Sequence, residues 1–136
     1  MTAAVRLPRW SVDTKPYWDA LHQGQLLYRH CNACAEPIFP PRALCPYCLS
    51  DKVDWRPSAG TGRVYSFTIQ HVAAAPAWKE KVPLALGIIA LDEGYHMFAQ
   101  ILADQLDQIE IDRAVTLVFD KVSEELVLPK FRLVAP

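Results

Sequence analysis

Two C-x-x-C pairs, Cys31/Cys34 and Cys45/Cys48, are separated by ten residues and account for every cysteine in the 136-residue chain. A C-x-x-C turn aims both of its thiolates at one centre, so two such turns supply the four sulfurs of a closed tetrahedral site. The spacing therefore predicts a zinc ribbon with Cys31, Cys34, Cys45 and Cys48 as ligands and zinc as the structural ion. A closed four-sulfur site leaves no position for water or substrate, so the metal is expected to hold structure and to perform no chemistry. Glycine often follows the second cysteine of such a knuckle. Here Ala35 and Leu49 stand there, which leaves the shape of each turn open.

Other uses of the same residues fit the chain less well. Two disulfides would suit an oxidising compartment, but no apolar signal segment opens the chain, and export is not expected. A thioredoxin-type redox pair requires one C-x-x-C at a helix start within a βαβ unit, a context neither pair has. Iron suits the same four thiolates, and the ligand set alone does not separate it from zinc.

The rest of the chain reads as a folded protein: 51% hydrophobic and 21% charged residues are globular proportions. The most apolar run, Val82 to Leu91, is too short to span a membrane and carries Pro83. Nucleic-acid binding through phosphate neutralisation calls for a basic excess, and the formal charge is −1. Lys and Arg against Asp and Glu count seven to five over residues 1–56 and seven to ten over 57–136. Single-stranded nucleic-acid binding is therefore the alternative reading, with the charge balance against it. A cytoplasmic location is the default expectation.

Residues 1–12 read as an extended arm with Pro8 and Trp10. A helix follows, with Asp13 or Thr14 as cap, Pro16 in the first turn, and Tyr17, Trp18 and Leu21 at helical spacing before Gly24. Those aromatics either pack on the body of the chain or meet a partner. Gln25 to His30 and Asp51 to Pro57 are the expected strands on either side of the knuckles, with Pro37, Pro40 and Pro41 keeping the segment between them irregular. Ser58-Ala-Gly-Thr-Gly62 is the clearest turn or linker signal. These features divide the chain into an arm and helix (1–26), a zinc ribbon (27–57) and a β domain (58–136).

In the β domain, Arg63 to Val72 alternates, with Val64, Ser66 and Thr68 on one face and Tyr65, Phe67 and Ile69 on the other. Leu84 to Leu91 and Tyr95 to Leu102 form a hairpin around Asp92-Glu93-Gly94. An acidic, weakly helical stretch (103–113) precedes strands at Val115 to Val122 and Leu126 to Val134. Five antiparallel strands with an insertion between the third and fourth suit a Greek-key barrel of the OB type, because closure removes exposed edges. An SH3-like barrel or open sandwich has a similar strand count. The fold class expected is mainly β: N-terminal helix, four-cysteine ribbon, five-stranded OB barrel.

No catalytic constellation stands out. His22, His30, His71 and His96 are scattered, with no nucleophile and orienting acid at a recognisable spacing. His30 abuts the first knuckle but is not needed by a complete four-sulfur set. Gly60, Gly62 and Gly94 lack phosphate-loop spacing. Asp92 and Glu93 are adjacent in a turn and read as a solvated hairpin tip. The loop Ala73 to Lys81 is long for a hairpin and ends in Trp78, Lys79 and Lys81, which have the chemistry to stack on a base and meet phosphates. The plainer reading is that Trp78 packs over the barrel mouth while the lysines are solvated.

In sequence order these parts resemble one family. The short helix, the cysteine quartet, Gly60-Thr-Gly-Arg-Val64, Pro83, Leu91-Asp-Glu-Gly94 and Leu128-Pro-Lys-Phe131 are similar to the acyl-CoA-associated OB-fold proteins with a zinc ribbon, domain-of-unknown-function family thirty-five. The resemblance runs from about Tyr17 to the end of the chain. Family members usually carry glycine in the turn before the fourth strand, where this chain has Asp112-Arg113. The resemblance implies a non-catalytic accessory subunit that docks on a thiolase-fold enzyme in a hetero-oligomer and helps to form a site for a coenzyme A thioester.

Overall fold

The computed structural model describes residues 7–135. Met1 to Arg6 of the expected arm, and Pro136, lie outside the described residues. Helix α1 (Lys15–His22) is followed by strands β1 (Leu26–Cys31), β2 (Pro37–Ile38) and β3 (Val53–Ser58). These pair antiparallel as a three-stranded sheet in the order β2-β1-β3. Strands β4 (Thr61–Gln70), β5 (Leu84–Leu91), β6 (His96–Leu102), β7 (Ala114–Lys121) and β8 (Val127–Leu133) close a barrel in the order β4-β5-β6-β8-β7. Closure uses one short parallel pairing, Ile101 with Phe131 and Leu102 with Arg132; every other pairing is antiparallel. The barrel is that of an OB fold.

Helix α1 starts where Thr14 and Pro16 place it, but Thr14 does not cap it with its side chain. Its hydroxyl turns back instead to accept from the Ser11 N–H at 2.8 Å, closing a turn ahead of the helix. The buried face, Tyr17, Ala20 and Leu21, packs on the body of the chain, which decides in favour of the plainer reading of these residues. Tyr17 and Leu21 join one core with Leu26 and Tyr28 of β1 and Val64, Ile89, Ile101 and Phe131 of the barrel. Packing is therefore continuous from helix through ribbon to barrel. An aromatic chain marks the junction: Tyr28 stacks on Tyr95 at 4.8 Å, Phe39 on Tyr95 at 5.3 Å, and Tyr17 meets Phe39 edge-on at 5.7 Å. His22 reaches the Glu125 carbonyl in the β7–β8 turn and ties down the C-terminal end of the helix.

Three local expectations change. The alternation of β4 breaks at Tyr65, where Val64 pairs with Ile89 and Ser66 with Ile88, leaving Tyr65 as a bulge. One extra residue reverses the facing, so Val64 points into the core before the bulge, and Phe67 and Ile69 pack against the core after it. Second, the proline-rich segment between the knuckles is not wholly irregular, since Pro37 and Ile38 pair with His30 and Arg29. Third, the insertion before β7 folds only as a single 3-10 turn, Leu106–Gln108, and contributes Ile109 to the core.

Candidate functional site

The two knuckles have the same backbone scheme. Cys31 N–H donates to the Glu36 carbonyl and Ala35 N–H to that of Cys31; Cys45 N–H donates to Ser50 and Leu49 N–H to Cys45. Ala35 and Leu49, the residues standing where glycine is common, both sit at φ 64°. The turn thus keeps a glycine-like left-handed conformation with side chains present, at a cost of roughly 1–2 kcal/mol each. Asp112 resolves the other glycine departure in the same way, at φ 68°, a region that short polar side chains tolerate.

This scheme brings all four sulfurs within 4.8 Å of one another. Across the knuckles, Cys31 to Cys48 and Cys34 to Cys45 are each 3.6 Å apart. Four sulfurs about 2.3 Å from a tetrahedral zinc ion stand about 3.8 Å apart, whereas a disulfide requires about 2.05 Å. The residues fit a four-thiolate ion, and the cysteines are free thiols. The backbone N–H of Cys34 draws the Cys31 thiol down to about 7 against the opposing effect of burial, whereas at Cys34 and Cys48 burial and the neighbouring sulfurs outweigh the backbone N–H groups and hold those thiols above the ordinary value. The Tyr47 N–H approaches the Cys45 sulfur at 3.4 Å. Ile38, Cys31 and Cys45 form a small buried cluster that Val53 helps to cover.

The other sequence candidates are not gathered at this centre. Trp78 ends a short 3-10 turn, Pro76–Trp78, and is half-buried, while Lys79 and Lys81 are exposed. The loop is held by its own backbone, with Trp78 N–H donating to Ala75 and the N–H groups of Lys81 and Val82 to Trp78. His71 is exposed, His96 lies beside Tyr65 with ring centroids 4.5 Å apart, and Nδ1 of half-buried His30 has no hydrogen-bond partner among the described residues.

Asp92 is exposed at the hairpin tip, as expected, but half-buried Glu93 is not simply solvated. The Glu93 carboxylate accepts from Ser58 Oγ at 2.6 Å and from the Ala59 N–H at 2.7 Å, and Asp92 accepts from the Thr61 hydroxyl. The β5–β6 hairpin thus clamps the passage from ribbon to barrel. Ser58 to Gly62 is accordingly a tight turn with only Ala59 and Gly60 between strands. Gly60 takes φ +75°, and a Cβ there would lie 2.8 Å from Leu117 Cβ. Turn composition alone marks the bend; the acidic pair that grips it lies more than thirty residues away in sequence, and no local signal could have found it. Beside this junction is an open groove of about 550 Å³ lined by Gln23, Gln25, Ser58, Thr116 and Phe119 among others. Trp78, Lys79 and Lys81 are not part of its lining.

Comparison with known proteins places this geometry. Residues 18–54 match the family described as "ChsH2, rubredoxin-like zinc ribbon domain" and residues 55–120 that described as "ChsH2, C-terminal OB-fold domain". A probable enoyl-CoA hydratase alpha subunit of Thermomonospora curvata is 33% identical over 95% of this chain, and the chain spans 40% of that relative's length. A DUF35 domain-containing scaffold protein of Methanothermobacter thermautotrophicus is 33% identical over 70% of this chain and 71% of its own. The benzoylsuccinyl-CoA thiolase subunit BbsA of Thauera aromatica is 31% identical over 52% of this chain and 47% of its own. Among solved structures, the Ltp2-ChsH2(DUF35) aldolase includes a chain that superposes with a TM-score of 0.83 at 32% identity. That match covers 95% of this chain and all of the other. The chain belongs to the DUF35 family, in its ChsH2 form of a rubredoxin-like zinc ribbon followed by an OB-fold domain.

Proposed function

We propose that this protein is a non-catalytic accessory subunit that docks on a thiolase-fold enzyme and assists in handling its acyl-CoA substrate. The observation that carries the reading is the likeness to the ChsH2(DUF35) chain of an aldolase complex, which extends over 95% of this chain. Relatives named as a scaffold protein and as a thiolase subunit support the same role. In this reading Cys31, Cys34, Cys45 and Cys48 hold a structural zinc ion, which cross-links the two knuckles and offers no open coordination position. The ribbon and the Glu93 clamp then present the barrel and its β4–β5 loop as one rigid surface.

Within that surface, Trp78, Lys79 and Lys81 are the residues we assign to contact with the partner or with the coenzyme A moiety. A half-buried indole beside exposed ammonium groups suits an adenine ring and its phosphates. The test is purification of the tagged chain from its native host with mass spectrometry of whatever accompanies it in stoichiometric amount. A thiolase-fold enzyme is the expected companion, and a solitary protein or one carrying nucleic acid would overturn the reading. Deleting the Trp78 loop should weaken the complex or its CoA-ester affinity; unchanged assembly and activity would remove the loop from the assignment.

A further inference from the structure

The four sulfur ligands differ in access. Cys31 and Cys45 are fully buried, Cys34 is half-buried, and Cys48 is exposed. Cys34 and Cys48 hold equivalent positions in their knuckles, so the difference comes from their surroundings. Cys34 packs against the cluster of Cys31, Ile38 and Cys45. Cys48 instead sits between Tyr47 and Leu49, which are 67% and 75% exposed, at the open tip of the ribbon. A metal-held cysteine is a thiolate, and among thiolates in one site solvent access selects which is oxidised.

We propose that Cys48 is a site of oxidative modification by hydroperoxides, with Cys31 as the resolving cysteine in an inter-knuckle disulfide that releases the metal ion. Cys31 Sγ is 3.6 Å from Cys48 Sγ, across the two knuckles. In the first step the Cys48 sulfur attacks the peroxide O–O bond, forming a sulfenic acid and expelling hydroxide. In the second the Cys31 thiolate attacks that sulfur, the S–S bond forms, and a second hydroxide leaves. Two thiolates lose two electrons in total, the peroxide gains them, and two protons from the buffer convert both hydroxides to water. Cys34 and Cys45 are then the only thiolates left for the ion, too few for a closed site, and it departs. The disulfide joins the same two knuckles that the ion had joined, so the ribbon keeps a cross-link while losing its central ion.

This proposal rests on the zinc reading, and the experiment separates the two. Zinc content of the full purified chain is measured first; a chain that binds no zinc overturns both. The zinc-loaded chain is then treated with one equivalent of hydrogen peroxide, with and without a cyclic 1,3-diketone that traps sulfenic acids. Released zinc is read with a chromogenic chelator and the modified peptides by mass spectrometry. The expected result is adduct on Cys48 with the trap, a Cys31–Cys48 disulfide without it, and loss of the zinc. First adduct on Cys34, disulfides confined to Cys31–Cys34 or Cys45–Cys48, or zinc retained after oxidation would each overturn the proposal while leaving the zinc site in place. Cys48→His keeps a fourth donor and should bind zinc yet lose peroxide-driven release. Release from that variant at the native rate would also refute it.

Discussion

Replacing Glu93 with alanine tests whether the β5–β6 hairpin clamps the ribbon to the barrel. The carboxylate accepts two short hydrogen bonds, from Ser58 Oγ at 2.6 Å and Ala59 N–H at 2.7 Å. A hydrogen bond to a charged acceptor contributes about 1.5–3 kcal/mol when the donor has no alternative. Ala59 is exposed and Ser58 half-buried, so water recovers part of each bond after truncation. A net loss of roughly 2 kcal/mol remains, which for a domain of this size lowers the melting temperature by about 7 °C. Urea unfolding of the zinc-loaded chain followed by tryptophan fluorescence measures it, since Trp18 and Trp55 both pack against the core at this junction. Glu93→Gln keeps one acceptor oxygen and should lose about half as much. Paired with Ser58→Ala, the double variant should show a coupling of about 1 kcal/mol. A loss below about 0.5 kcal/mol, the range of ordinary surface substitutions, or additive single effects, would refute the clamp.

Further expectations follow from the strained turns, the packing, the metal and the buried hydroxyls. Leu49→Gly relieves a left-handed backbone and gives back some unfolded-chain entropy, so the zinc-loaded chain should gain up to about 1 kcal/mol in urea; a loss would contradict the strain assigned to φ 64°. A Cβ on Gly87 would lie 2.6 Å from both Ile101 Cδ1 and the Ser66 carbonyl, so Gly87→Ala should cost about 1–3 kcal/mol in the same assay, and a neutral result would show that β5 yields freely. Chelating the metal should lower the melting temperature, because ligation and ribbon folding are coupled; an unchanged melt would refute a structural ion. Burial raises the hydroxyl pKa of Tyr17 and Tyr95 well above 10.0. Their contribution to stability is complete below the unfolded value and is lost as pH rises above it, so tyrosinate absorbance from these two should appear together with unfolding. Their ionisation in a chain still folded at high pH would contradict that burial.

The cysteine quartet and the hydrophobic periodicity are local properties, and they made the four-cysteine ribbon, the helix and the five barrel strands legible from residue order alone. A C-x-x-C turn carries its own geometry, and a strand shows its facing in its neighbours two positions away. Even so, the facing of β4 after Val64 was beyond reach, because a bulge at Tyr65 depends on its register against β5. Glycine's absence from positions 35, 49 and 112 did not alter the turns: hydrogen bonds closing each knuckle, and the Asp112 N–H bond to the Val64 carbonyl, hold left-handed backbone with side chains in place.

What the sequence determined by itself was thus the kind of each part: a four-sulfur centre, a short amphipathic helix and a β barrel. Only the tertiary structure decided how they act as one body. The Glu93 clamp spans more than thirty residues, the Tyr17–Phe39–Tyr95–Tyr28 chain joins helix, ribbon and barrel, and the unequal exposure of Cys34 and Cys48 arises between two equivalent knuckles. Each is a contact between segments distant along the chain, and short-range pattern holds no information about which distant surfaces will meet or which side of a turn will face water.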